Sequence, residues 1–110
     1  MFIAVYEFQV KAGQETAFRH AWRQVTQMFY ERCDSYGSRL HLTDHPGRFV
    51  GYAQWPSREQ WAASRQLDDD DFINTRQLMR DCLETSHTVY EMTVTDDELQ
   101  RQLFHQGKPD

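Results

Sequence analysis

Phe2-Ile3-Ala4-Val5-Tyr6-Glu7-Phe8-Gln9-Val10 sets Phe2, Ala4, Tyr6, Phe8 and Val10 on one side and Ile3, Val5, Glu7 and Gln9 on the other. A period of two with β-branched and aromatic content reads as a strand. Past the turn Lys11-Ala12-Gly13 the period lengthens. Ala17, Phe18, Ala21, Trp22, Val25, Met28 and Phe29 recur at steps of three and four, opposite Arg19, His20, Arg23, Gln24, Gln27 and Glu31. That stripe predicts an amphipathic helix over 14–33. Asp34, Ser35 and Gly37 stop it. A strand feeding a helix of this length, in a chain of 110 residues, starts a single α+β domain.

Downstream, Ser38–Thr43 and Arg48–Trp55 read as strands joined by Asp44-His45-Pro46-Gly47, which is turn chemistry and implies an antiparallel hairpin. Pro56-Ser57 closes it, and Ser57 with Gln60 has the spacing of a capping box opening a short helix. The run Asp68–Asp71 heads a further helix carrying Phe72, Ile73, Leu78, Met79, Cys82 and Leu83. Carboxylates there suit a helix N-terminus, and their spacing is not that of a cation-binding loop. His87 to Thr95 is the last predicted strand, with Thr88, Tyr90, Met92 and Val94 alternating against His87, Val89, Glu91 and Thr93. Thr95 and Glu98 form a second capping-box spacing, so a short helix bearing Leu99, Leu103 and Phe104 is expected after the domain of residues 1–95, within a tail of 96–110.

The order β-α-β-β-α-β with right-handed crossovers is a ferredoxin-like α+β fold: a four-stranded antiparallel sheet with helices on one face. Neither sheet face is cleanly polar, since Ile3 and Val5 lie opposite the Phe2, Tyr6 and Phe8 set, and Tyr52 lies opposite Phe49 and Trp55. A half-apolar open face predicts a homodimer formed by sheet-to-sheet packing.

The net charge is −5 with no basic cluster, which argues against nucleic acid and against an anionic membrane surface. No apolar run approaches the roughly 20 residues of a membrane helix. Glu7 comes too early for a signal peptide, so a cytoplasmic location is expected. Cys33 and Cys82 read as free thiols. Aromatic residues make up 14% of the chain, enough to fill a core or to line a pocket for a flat apolar ligand.

Two segments together resemble the antibiotic biosynthesis monooxygenase domain. They are Tyr6-Glu7-Phe8-Gln9-Val10-Lys11-Ala12-Gly13-Gln14-Glu15 with its aromatic helix, and Phe49-Val50-Gly51-Tyr52-Ala53-Gln54-Trp55-Pro56-Ser57-Arg58-Glu59-Gln60-Trp61. The resemblance covers residues 2 to about 95. It implies a dimeric α+β barrel with a pocket between each sheet and its own helices. It implies one of several activities: cofactor-free oxidation of anthrones or quinols, haem degradation, or isomerisation of a signal molecule. The Asn, Trp and His slots of the haem degraders fall near Tyr6, Ser64 and Asn74, so the axial histidine is missing. The quinone-forming members use a helix Trp with neighbouring Asn and Tyr; this sequence offers Trp61 with Ser57 and Leu67 around it, so at best one part of that set is present.

Cofactor-free oxygenation needs an apolar aromatic cavity, a base or donor beside the acidic group, and exclusion of water. Tyr6, Phe8, Trp22, Trp61 and Phe72 are the expected pocket walls, with Tyr6 carrying a useful hydroxyl. His41 and His87, on strands, join Tyr6 as candidate catalytic groups because imidazole titrates near neutrality. His20, His45 and His105 read as surface. No metal site and no cofactor are expected. Three readings stand: a small oxidoreductase acting on a phenolic, quinol or polycyclic aromatic molecule, a non-enzymatic module binding such a ligand, and an isomerase of a small metabolite.

Overall fold

The computed structural model describes residues 1–100. In chain order they form β1 (Phe2–Val10), α1 (Glu15–Arg32), β2 (Gly37–Leu42), β3 (Arg48–Trp55), α2 (Arg58–Ala63), one 3₁₀ turn (Ser64–Gln66), α3 (Asp70–Asp81) and β4 (Leu83–Thr93). The strands run in the order β2-β3-β1-β4, every pair antiparallel, which is the ferredoxin-like α+β sheet. The helices bury their apolar stripes on the face carrying Phe2, Ala4, Tyr6, Phe8 and Val10.

Local chemistry sets the joints. At the hairpin, Gly47 takes φ 74° while its carbonyl accepts from Val10 N–H at 2.8 Å. A Cβ there would stand 2.8 Å from Gln9 Nε2 and 3.0 Å from the Val10 carbonyl oxygen, so only glycine fits unstrained. Half of the expected capping box forms at α2: Ser57 Oγ accepts from Gln60 N–H at 3.2 Å, and the Gln60 side chain takes the Ser57 hydroxyl rather than the Ser57 N–H. An Arg32–Asp69 ion pair ties the end of α1 to the start of α3.

The last strand ends at Thr93 rather than Thr95 and differs from its expected form in two further ways. It begins at Leu83, four residues early, because α3 ends at Asp81 and Leu83 pairs with Val10. A bulge then sets Val5 against Tyr90 but Tyr6 against Thr88, leaving Val89 as the extra residue. Thr88 therefore joins the helix side, while His87, Tyr90 and Met92 share the open side. Strict alternation had separated His87 from the other two.

The segment after β4 also departs from expectation. Through Gln100 it is irregular, with Thr95 Oγ1 donating to Asp96 Oδ2 at 2.9 Å instead of capping a helix. Leu103 and Phe104 lie outside the described residues. Val94 N–H donates to the Met1 carbonyl, and residues 94–99 pass beside Ile3. Ile3 is on the open side yet only 2% exposed, since Met92, Gln54, Tyr52 and this segment gather round it. No helix among the described residues is long and apolar enough to cross a membrane.

Candidate functional site

Along β3 the helix-facing side chains are Phe49, Gly51, Ala53 and Trp55: large at both ends, small in the middle. Ser38 on β2, paired with Ala53, extends that low centre sideways. The bulky ends hold the helices away from it. The core accordingly divides into two clusters, one of Phe2, Ala4, Ala53, Trp55 and Trp61, the other of Phe8, Val10, Phe18, Phe49 and Cys82. Tyr6 packs against both. Where they meet is a cavity of about 190 Å³, whose aromatic wall is made by Tyr6, Phe8, Trp22, Phe29, Trp55 and Trp61.

Two of these side chains are joined by a hydrogen bond. Trp61 Nε1–H donates to Tyr6 Oη at 2.6 Å. Trp61 itself is locked by Phe2, 5.2 Å between ring centroids, and by the Arg65 guanidinium 4.5 Å above its ring. The buried Ser64 hydroxyl donates to the Trp61 carbonyl, fixing the end of α2. Burial pushes the Tyr6 phenol above its ordinary range, against the pull of the Trp61 hydrogen bond and the Arg65 charge. Tyr6 is therefore protonated at neutral pH. Its oxygen is occupied as an acceptor, and its O–H has no acceptor among the described residues. The Trp55 indole N–H is buried and likewise has no partner among the described residues.

The remaining wall mixes small and polar side chains with three cations: Arg65, Arg76 and Arg80 line the cavity, and no carboxylate or imidazole among the described residues does. Arg76 sits over the ring of Phe72 at 5.4 Å. Burial and then the charge of Arg80 lower the pKa of Arg76 from its usual value.

Of the residues singled out from the sequence, Tyr6, Phe8, Trp22 and Trp61 come together in this wall. Phe72 does not: it is buried between helices, its ring tilted against that of Phe29 with 5.2 Å between centroids. His41 and His87 lie outside the cavity as well. His41 pairs with Val50 on the exposed edge strand, Nδ1 3.0 Å from the Val50 carbonyl oxygen. His87 stands opposite Glu7 on the open side, Nε2 3.4 Å from Glu7 Oε1. Sequence reasoning passed over the three arginines, Trp55 and Gly51. One signal was present: Phe72, Arg76 and Arg80 recur every four residues, so the stripe that buries Phe72 continues into the two arginines.

Sheet topology and cavity together define a ferredoxin-like domain with a chamber between its sheet and its helices. Solved structures share this fold. A candidate antibiotic biosynthesis monooxygenase from Bordetella bronchiseptica is 20% identical, with a TM-score of 0.72 over 86% of this chain and 96% of that one. SnoaB, a cofactor-independent oxygenase from Streptomyces nogalater, is 19% identical, with a TM-score of 0.71 over 90% and 97%. A Mycobacterium tuberculosis protein is 14% identical, with a TM-score of 0.68 over 89% and 98%. No curated protein matches. Residues 1–69 match the antibiotic biosynthesis monooxygenase family, and the chain belongs to it.

Proposed function

We propose that this protein is a cofactor-independent monooxygenase of a phenolic, quinol or polycyclic aromatic molecule held in the sheet–helix cavity. The observation that carries the reading is the Tyr6–Trp61 pair in an aromatic wall: a hydroxyl already oriented by one hydrogen bond and free to donate another. Family membership and the likeness to SnoaB, itself a cofactor-independent oxygenase, support the same chemistry.

In such a reaction the substrate is the reductant. An activated methylene or phenol loses a proton, and the anion passes one electron to dioxygen. The radical pair joins as a carbon–oxygen bond, and the resulting peroxide loses water. One oxygen atom remains as a carbonyl and the other leaves with both hydrogens as water, so a CH₂ and O₂ become C=O and H₂O. With no carboxylate or imidazole of the described residues in the lining, the first proton passes to solvent and the protein's contribution is to stabilise the anion. Tyr6 O–H is the donor, and the arginines supply positive potential at the cavity. The aromatic wall orients the ring system.

Oxygen uptake by the native chain with anthrones, naphthoquinols and catechols tests this, with Trp61→Ala alongside. Uptake above the buffer rate that is lost in a folded Trp61→Ala protein is the expected result. No uptake across all three substrate classes contradicts the reading.

A homodimer through the open face belongs to the same proposal. Val5, Val50, Tyr52, Tyr90 and Met92 share that face by register, and Tyr90 is 61% exposed. A second copy, related by a two-fold axis, would cover the same apolar patch on both chains.

A further inference from the structure

We infer that the substrate is a one- or two-ring aromatic acid whose carboxylate docks on Arg65, Arg76 and Arg80 while its ring enters the aromatic chamber. This deepens the reading above and rests on it for the site.

Charge distribution is the first argument. The chain has 17 acidic and 12 basic residues, yet among the described residues the cavity is lined by three arginines and no acid. Elsewhere, Arg32 pairs with Asp69 and Asp71, Arg58 pairs with Glu91 at 2.8 Å, and Arg19 and Arg23 stand exposed on α1, outside the chamber. Glu91 also bears on Tyr6 electrostatically, so the acid near the chamber is already engaged by Arg58. Arg65, Arg76 and Arg80 are in no ion pair with a described carboxylate.

Geometry is the second. Arg76 and Arg80 are one helical turn apart on α3 and both reach the cavity. Like charges at that spacing repel in the empty protein, and an anion between them removes the repulsion. Arg80 has a structural reason to be there, since it lies in the last turn of α3, where a cation complements the helix dipole. Arg76, in mid-helix, has no helix terminus to complement and lies over the ring of Phe72 instead. Arg65 and Arg76 rest on the rings of Trp61 and Phe72, which holds planar guanidiniums in place while leaving N–H groups for an oxyanion. Arg65 and Arg80 are exposed and Arg76 is half-buried, as expected of a charged rim round an apolar interior.

The choice of anion and of size follows. A phenolate formed only during turnover would be met by the Tyr6 hydroxyl, so three guanidiniums call for a charge present throughout. A carboxylate is ionised at any neutral pH and matches the guanidinium fork. Engineered apolar cavities of about 150 Å³ take up benzene. The chamber here, about 190 Å³, suits one ring or two fused rings with the acid group at the rim.

The test is equilibrium binding under anaerobic conditions, where no turnover intrudes. 2-Naphthoate and its neutral isostere 2-naphthamide are titrated into the native protein by quenching of tryptophan emission. Charge-assisted hydrogen bonds predict that naphthoate binds roughly ten-fold or more tighter. The ratio should fall below about three in an R76Q/R80Q protein, from the same reasoning. Equal affinities in the native chain, or binding of neither compound, overturn the assignment whatever the variant does. Preference for the acid without oxygen uptake from any hydroxylated aromatic would sink the oxygenase reading and keep this one. Uptake from neutral quinols without acid preference would do the reverse.

Discussion

Tyr6 is where structure and chemistry meet most closely. Its ring bridges the two core clusters, and its hydroxyl accepts from Trp61 at 2.6 Å. Tyr6→Phe keeps the ring and removes the donor. If the O–H stabilises the substrate anion, the oxygenation rate should fall roughly 10²-fold with little change in ligand affinity, as for loss of one oxyanion donor. An unchanged rate would reduce Tyr6 to packing. A pH effect accompanies this. Burial raises the phenol above its ordinary 10.0, so the folded state holds the proton more tightly than the unfolded chain does. Its contribution is intact below pH 10.0 and is lost as pH rises through the folded-state value. Denaturant unfolding between neutral pH and pH 11 should therefore show a shallower alkaline loss of stability in Tyr6→Phe than in the native chain. Sequence reading reached this residue by alternation alone: an aromatic with a hydroxyl, on the strand side that faces the helices. It could not reach the Trp61 bond, because 55 residues separate the partners and only tertiary packing joins them.

At the scale of elements, β3 decides that a chamber exists. A Cβ at Gly51 would lie 3.1 Å from Phe8 Cε2 and 3.6 Å from Tyr6 Cδ2, so the strand's low centre is what lets those rings lie flat on the sheet. Gly51→Val should cost roughly 1–3 kcal/mol by overpacking, despite its better strand propensity. It should also weaken binding of naphthalene-sized ligands; thermal unfolding and a binding titration read the two effects separately. The elements themselves were largely legible. Period two in β1, period 3.6 in α1 and the Asp-x-Pro-Gly turn each express local physics that tertiary structure leaves in place. What was not legible lay in β4, where the bulge at Val89 changes which residues face outward. A bulge adds one residue without a composition signal, so a strictly alternating reading puts every residue beyond it on the wrong side. His41 and His87 drew attention as titratable groups on strands, but residue type carries no information about which face a strand turns to solvent. The arginines of α3 were hidden for the opposite reason. Charged residues on an amphipathic helix are expected outside, and Arg76 and Arg80 sit on the stripe that continues from Phe72.

For the molecule as a whole, one sheet face is roofed by helices and the other is not. Ile3 is covered by residues of its own chain, whereas Tyr90 is left open. If the open face is a dimer interface, sedimentation equilibrium should give twice the 13.2 kDa chain mass, and Tyr90→Glu should shift it toward the monomer. A monomer at micromolar concentration in the native protein would remove the dimer from the proposal. Dimerisation closes one side of the sheet and leaves the chamber on the other, so ligand binding and assembly should vary independently.

The most direct measurement is turnover of an aromatic quinol under ¹⁸O₂, with the product and water analysed by mass spectrometry for the native chain and for Trp61→Ala. Expected from the native protein is one labelled oxygen in the product carbonyl and the other in water, at a rate that collapses in the variant. An unlabelled product, or one isomerised without oxygen, would contradict a monooxygenase built on the Tyr6–Trp61 chamber.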